Sequence, residues 1–125
     1  MAETITDEHL KKAKNLIEKG SSKYSKAQEI DEEFKVGERS AEGCEDAFHS
    51  LVELSESILR RHSMTAKGHM ERKSKLEKIG RSDLARLYGD AQSDLHEACY
   101  YKQQIHPRQE RIIEEIKKQI EKETG

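Results

Sequence analysis

Residues 41–59 read AEGCEDAFHSLVELSESIL, and this stretch decides the fold class. Its apolar residues recur at the spacing that places side chains on one face of an α-helix. They are Cys44, Ala47, Phe48, Leu51, Leu54, Ile58 and Leu59. Residues 82–101, SDLARLYGDAQSDLHEACYY, carry a similar stripe. We expect the two stripes to pack on each other as the central helix pair.

The composition predicts helices throughout the chain. The 125 residues include one proline and no tryptophan, and alanine, leucine, glutamate and lysine, which favour helices, are common. We therefore expect an all-α, up-down helical bundle of four to five helices. The expected unit is a single domain over residues 1–125, with 1–5 and 122–125 frayed. Hydrophobic residues make up only 33% of the chain, so its core is thin and a homodimer is expected.

The helix boundaries are less well defined in the first half of the chain. Thr6 is the predicted N-cap of the first helix, and Gly20 is its predicted stop. The pattern leaves open whether residues 23–62 form one helix with a defect or two helices.

Two glycines and the proline carry predictions in the second half. Gly80 suits the position just after a short helix, and Pro107 suits the first turn of the last helix. Gly89 lies within the second stripe, where glycine disfavours a helix. We therefore expect another helix to approach closely at Gly89.

The net charge of −2 gives the chain no overall attraction to nucleic acid or membrane. No apolar run is long enough to span a bilayer, and the first residues do not form a signal-peptide pattern. These features predict a cytoplasmic protein without a membrane partner. Cys44 and Cys99 are accordingly expected to be free, buried thiols.

Basic residues are concentrated between residues 60 and 81, where they outnumber acidic residues. A compact basic loop and helix can contact phosphate groups. The alternative is a solvated helix face that balances the acidic residues before it. The candidate phosphate-facing residues are Arg60, Arg61, Lys67, Arg72 and Lys73.

A histidine and two tyrosines close the second stripe. His96 and Tyr100 are four residues apart, so they share a helix face next to the apolar stripe. His96, Tyr100 and Tyr101 are therefore candidate ligand contacts, although a packing role for His96 is the alternative. No histidine pair or Cys-x-x-Cys motif suggests a metal site, and no cofactor is predicted.

The run from Leu84 to Tyr88, with Ala91 and the segment Leu95 to Tyr101, resembles the C-terminal half of HEPN-like proteins. HEPN stands for higher eukaryotes and prokaryotes nucleotide-binding. The likeness is to a branch of small, uncharacterised archaeal members, and it extends over residues 41–122. It implies a helical, usually homodimeric bundle. Many members are ribonucleases or toxins paired with a nucleotidyltransferase-like antitoxin.

The family's catalytic signature is an arginine followed within a few residues by a histidine. Here nine residues separate Arg86 from His96, too many for the signature. His96 alone can be carried over, as a weak catalytic candidate. The main hypothesis is thus a non-catalytic module that binds a nucleotide, RNA or a partner protein. The alternatives are a ribonuclease with a rearranged site around His96 and a purely structural interaction protein.

Overall fold

The computed structural model describes residues 7–124, apart from the side chains of residues 33 and 34. Within that range lie α1 (Glu8–Ala27), α2 (Glu33–Arg61), α3 (His69–Lys78), α4 (Ser82–Ala91), a π-helix (Gln92–Tyr101) that continues α4 directly, and α5 (Pro107–Thr124). These residues contain no strand, so the predicted all-α helical bundle is confirmed. Residues 1–5 and Thr6 lie outside the described residues, and residues 122–124 belong to the end of α5.

The predicted stop at Gly20 is wrong, because α1 continues to Ala27. Gly20 instead lies where α1 crosses α2. A Cβ atom on Gly20 would lie 2.7 Å from the backbone nitrogen of Ala47 and 2.8 Å from the carbonyl oxygen of Gly43. Both helices can approach this closely only because neither Gly20 nor Gly43 has a side chain. The glycine that resembled a helix end is a packing residue.

Residues 23–62 belong to two helices and do not form one helix with a defect. α1 ends at Ala27, and α2 begins at Glu33 and runs without interruption to Arg61. Gly37 lies inside α2, where a Cβ atom would clash with the carbonyl oxygen of Gln103. It too allows a close backbone approach.

α2 lies between α1 on one side and the π-helix on the other. The two apolar stripes are buried and contact each other, mainly through the π-helical part of the second stripe. The contact between α1 and α2 is nevertheless the most extensive in the bundle. The predicted packing of the two stripes on each other is therefore confirmed, although α2 makes a more extensive contact with α1 than with the second stripe.

The prediction of free thiols is also wrong, because a disulfide joins Cys44 to Cys99. Both residues are fully buried, and their Cα atoms are 6.2 Å apart, within the usual range for a disulfide. The bond connects α2 to the π-helix. The lack of a signal-peptide pattern predicts reduced thiols, whereas the pairing of the cysteines depends on which stripes meet in the fold.

Of the three predictions for the second half of the chain, those for Gly80 and Pro107 are confirmed and that for Gly89 is not. Gly80 follows α3 with φ of +84°, and the N–H of Arg81 donates to the carbonyl of Leu76 at 2.9 Å, which confirms the glycine stop. Pro107 is the first residue of α5, as expected. The prediction of a close helix approach at Gly89 is wrong, since a Cβ atom there would meet nothing within 4 Å.

No helix within residues 7–124 has the length and apolar character to cross a membrane.

Candidate functional site

His96 lies on the π-helix, and this geometry determines its neighbours. A π-helix joins residue i to residue i+5, so side chains four and five positions apart share one face. The ring centroid of His96 accordingly lies 6.1 Å from that of Tyr100 and 4.9 Å from that of Tyr101. In an α-helix, residue i+5 points to another face. π-helical turns are rare and are frequently found at functional sites.

Two residues of α2 contact the His96 ring and fix its position. Its Nδ1 lies 2.8 Å from Oε1 of Glu45, and the ring of Phe48 stacks on it with centroids 4.8 Å apart. The second oxygen of Glu45 contacts Nε2 of His49 at 3.2 Å. Because Phe48 is buried and belongs to the core stripe, the orientation of His96 is tied to the packing of α2.

A second histidine lies beside His96. His69 is the first residue of α3, and its ring centroid lies 5.9 Å from that of His96. Nδ1 of His69 lies 2.5 Å from the hydroxyl oxygen of Tyr88, a fully buried residue of α4. The site is thus assembled from α2, α3, α4 and the π-helix.

Arg72 completes the network one helical turn after His69. Its Nη1 donates to the Tyr88 hydroxyl at 2.8 Å, and its Nε donates to Oε2 of Glu56 at 2.7 Å. Burial and then the Arg72 charge lower the pKa of His69 below its usual value of 6.5. His69 is therefore neutral near pH 7.

Tyr100 and Tyr101 form the outer edge of the cluster. The Tyr101 side chain is 67% exposed and Tyr100 is 37% exposed, with ring centroids 5.0 Å apart. We call His69, His96, Tyr100 and Tyr101 the histidine–tyrosine site. It combines imidazole hydrogen-bonding groups with exposed aromatic faces, which suits a flat, polar ligand.

The five candidate basic residues have different hydrogen-bond partners and exposures in the structure. Arg72 and Lys73 lie near the histidines, and Nζ of Lys73 donates to Oε1 of Gln92 at 2.9 Å. Arg61 donates to Oε1 of Glu123, near the end of α5, at 2.6 Å. Arg60 and Lys67 are exposed.

Sequence reasoning found His96, Tyr100 and Tyr101 but missed the contributions of Glu45, His69 and Tyr88. Glu45 is 51 positions from His96, and Tyr88 is 19 positions from His69. No spacing rule connects residues that far apart, so only the arrangement of helices reveals them. Tyr88 lies in the apolar stripe of residues 82–101, and its hydroxyl is what adds it to the network around His69.

Over residues 7–124, no group of three or more His, Cys, Asp or Glu side chains is arranged to hold a metal ion. Comparisons of this chain with family models, curated proteins and solved structures give no match. The function must therefore be argued from the residues of the site.

Proposed function

We propose that this chain is a non-catalytic, HEPN-like module that binds a nucleotide or single-stranded RNA at the histidine–tyrosine site. The observation that carries the proposal is the placement of two exposed tyrosines beside the His96 ring. Proteins that bind single strands stack bases on such aromatic side chains. Neighbouring imidazoles add hydrogen-bonding groups at the edge of the stacked ring.

The rigidity of the platform supports this assignment. Phe48 and Glu45 of α2 both contact His96. The disulfide joins the same two helices close by, because Cys44 is one residue before Glu45 in α2 and Cys99 is three residues after His96 in the π-helix. A site built on fixed helices loses little conformational entropy when a ligand binds.

The proposal is tested by fluorescence anisotropy with a fluorescein-labelled, mixed-sequence, single-stranded RNA. Alanine substitution of a stacking aromatic costs about 1–3 kcal/mol, so Tyr101→Ala should weaken binding roughly 5- to 150-fold. Tyr101→Phe keeps the ring and should bind like the unchanged protein. Absence of RNA binding, or equal binding by the alanine variant, would refute the proposed site.

Surface cations provide the second arm of this test. Arg60→Ala with Lys67→Ala removes two exposed charges without breaking the partly buried ion pair of Arg72 with Glu56. If these cations contact RNA phosphates, the double variant should show a shallower dependence of affinity on salt concentration. His62→Ala, at an exposed position at the end of α2, is the control for nonspecific effects.

A ribonuclease centred on His96 is the second candidate, favoured by the nearby ring of His69 and by Arg72. Two histidines can serve as general acid and base, and an arginine can stabilise charge on a phosphate. The test incubates mixed RNA with the unchanged protein, His96→Ala and His69→Ala. Cleavage that both substitutions abolish would support an enzyme, and cleavage by all three or by none would remove this candidate.

Three further properties stay proposals. They are a homodimer, a nucleotidyltransferase-like protein partner and a cytoplasmic location. The disulfide weighs against a strongly reducing compartment, where such bonds are rare. Sedimentation equilibrium tests the dimer directly, since a monomer mass at high protein concentration would contradict it.

A purely structural interaction protein is the third candidate, and it predicts no retention of RNA.

A further inference from the structure

The hydrogen bonds around His69 determine which of its nitrogens carries the proton. The Tyr88 hydroxyl has one hydrogen, and it already accepts from Nη1 of Arg72, which can only donate. Because Tyr88 is fully buried, this hydrogen needs an acceptor, and among the described residues the hydroxyl's hydrogen-bond partners are Arg72, which cannot accept, and Nδ1 of His69; the hydrogen therefore points to Nδ1 of His69. Nη1 of Arg72 also approaches the same nitrogen at 3.5 Å, again as a donor. Nδ1 of His69 is thus an acceptor, and the proton of the neutral ring lies on Nε2.

His96 has the opposite arrangement. Its Nδ1 lies 2.8 Å from Oε1 of Glu45, and a carboxylate can only accept. Nδ1 of His96 therefore carries the proton, and in the neutral ring Nε2 has the free lone pair. The partner of each Nδ1 thus determines what the second nitrogen offers to a ligand.

We infer that the two adjacent histidines are held in opposite tautomers, so that the site offers one imidazole donor and one imidazole acceptor to the edge of a nucleobase. Nε2–H of His69 is the donor, and Nε2 of His96 is the acceptor. Nucleobase edges carry donors and acceptors side by side, and Tyr100 and Tyr101 supply the stacking faces. This inference rests on the proposed function and names the part of the nucleotide that the site reads.

The charges around the histidines favour a base over a phosphate. Glu45 and Glu56 bring two carboxylates into the network, and Arg72 is already paired with Glu56 at 2.7 Å. The amino group of Lys73 is bonded to Gln92. A phosphate placed here would lie near these carboxylates, and both nearby cations already have hydrogen-bond partners. An uncharged base meets no such repulsion.

The tautomers can be measured without any ligand. Long-range ¹H–¹⁵N correlation spectra at about pH 8, above the usual histidine pKa, distinguish a protonated Nδ1 from a protonated Nε2. His69 should show a protonated Nε2 and His96 a protonated Nδ1. The same tautomer for both rings would overturn the inference. Tyr88→Phe removes the hydroxyl with little change in volume, and it should weaken the tautomer preference of His69 while leaving the His96 pattern unchanged.

Ligand preference is measured by calorimetry with the four common nucleosides, their 5′-monophosphates and inorganic phosphate. At least one nucleoside should bind within about threefold of its monophosphate, and inorganic phosphate should not compete. Monophosphates that bind while all nucleosides bind at least about tenfold more weakly would overturn the base-reading inference and leave the proposed nucleotide binding intact. If neither class binds and RNA does not bind, the proposed function itself fails, and base reading fails with it.

Discussion

The disulfide between Cys44 and Cys99 makes the stability of this bundle depend on its redox state. The bond joins the middle of α2 to the end of the π-helix and is buried in the core. Reducing it leaves every side-chain carbon in place, so the comparison of oxidised and reduced protein creates no cavity. The perturbation therefore isolates the effect of the cross-link.

The magnitude follows from the 55 residues that separate the two cysteines. A cross-link over that distance removes about 14 cal/mol/K of entropy from the unfolded chain, or about 4 kcal/mol at 25 °C. Small domains have a free energy of unfolding of about 5–15 kcal/mol. Reduction should therefore remove a large share of the total stability.

Urea denaturation followed by circular dichroism measures the effect. With a denaturant slope of about 1–3 kcal/mol per molar, the midpoint of the reduced protein should fall by roughly 1–4 M. Cys44→Ser cannot form the bond, and its midpoint should be insensitive to reductant. Two reactive thiols in the unreduced, denatured protein, or equal midpoints in both redox states, would refute the reasoning.

Two further predictions concern the helix crossing and the buried histidine. Gly20→Ala and Gly43→Ala should each lower the free energy of unfolding by about 1–3 kcal/mol, because a Cβ atom would clash with backbone atoms of the facing helix. Gly89→Ala should raise it by about 0.5–1 kcal/mol, since that position is open, and equal effects at all three glycines in urea titrations would contradict this. Burial and Arg72 lower the pKa of His69 below 6.5, so the unfolded chain takes up its proton first and stability falls as the pH drops below 6.5. His69→Gln should make this fall smaller, and identical pH profiles of stability for both proteins would count against it.

The core of the fold could be predicted because the relevant signals are local. The stripe from Cys44 to Leu59 is buried as its helical spacing predicts, and Ser50, Ser55 and Ser57 are buried with it. Gly80 ends α3 because its positive φ suits a residue without a side chain. Pro107 begins α5 because its missing N–H is not needed there. Each of these effects depends on residues within a few positions of one another.

Other signals were ambiguous until the helices were placed. Gly20 resembles a helix stop in sequence, and only the facing Gly43 shows that it permits a close crossing. Gly89 also suggested a close contact, yet nothing approaches it. A glycine pattern cannot distinguish a helix end, a crossing and an open position, because the difference lies in the neighbouring element.

The histidine–tyrosine site likewise combines features that local sequence predicts with features that depend on how the helices are placed. The sequence by itself determined that His96 and Tyr100 share a helix face that borders the core, because the spacing of apolar residues fixes which face is buried, whereas the π-helical geometry in the structure adds Tyr101 to that face. Only the tertiary structure decided that Glu45 and His69 join them, and that Cys99 bonds to Cys44. The physical reason is that hydrogen bonds and disulfides require atoms within a few ångströms, and for residues this far apart in the chain that distance is set by the packing of helices.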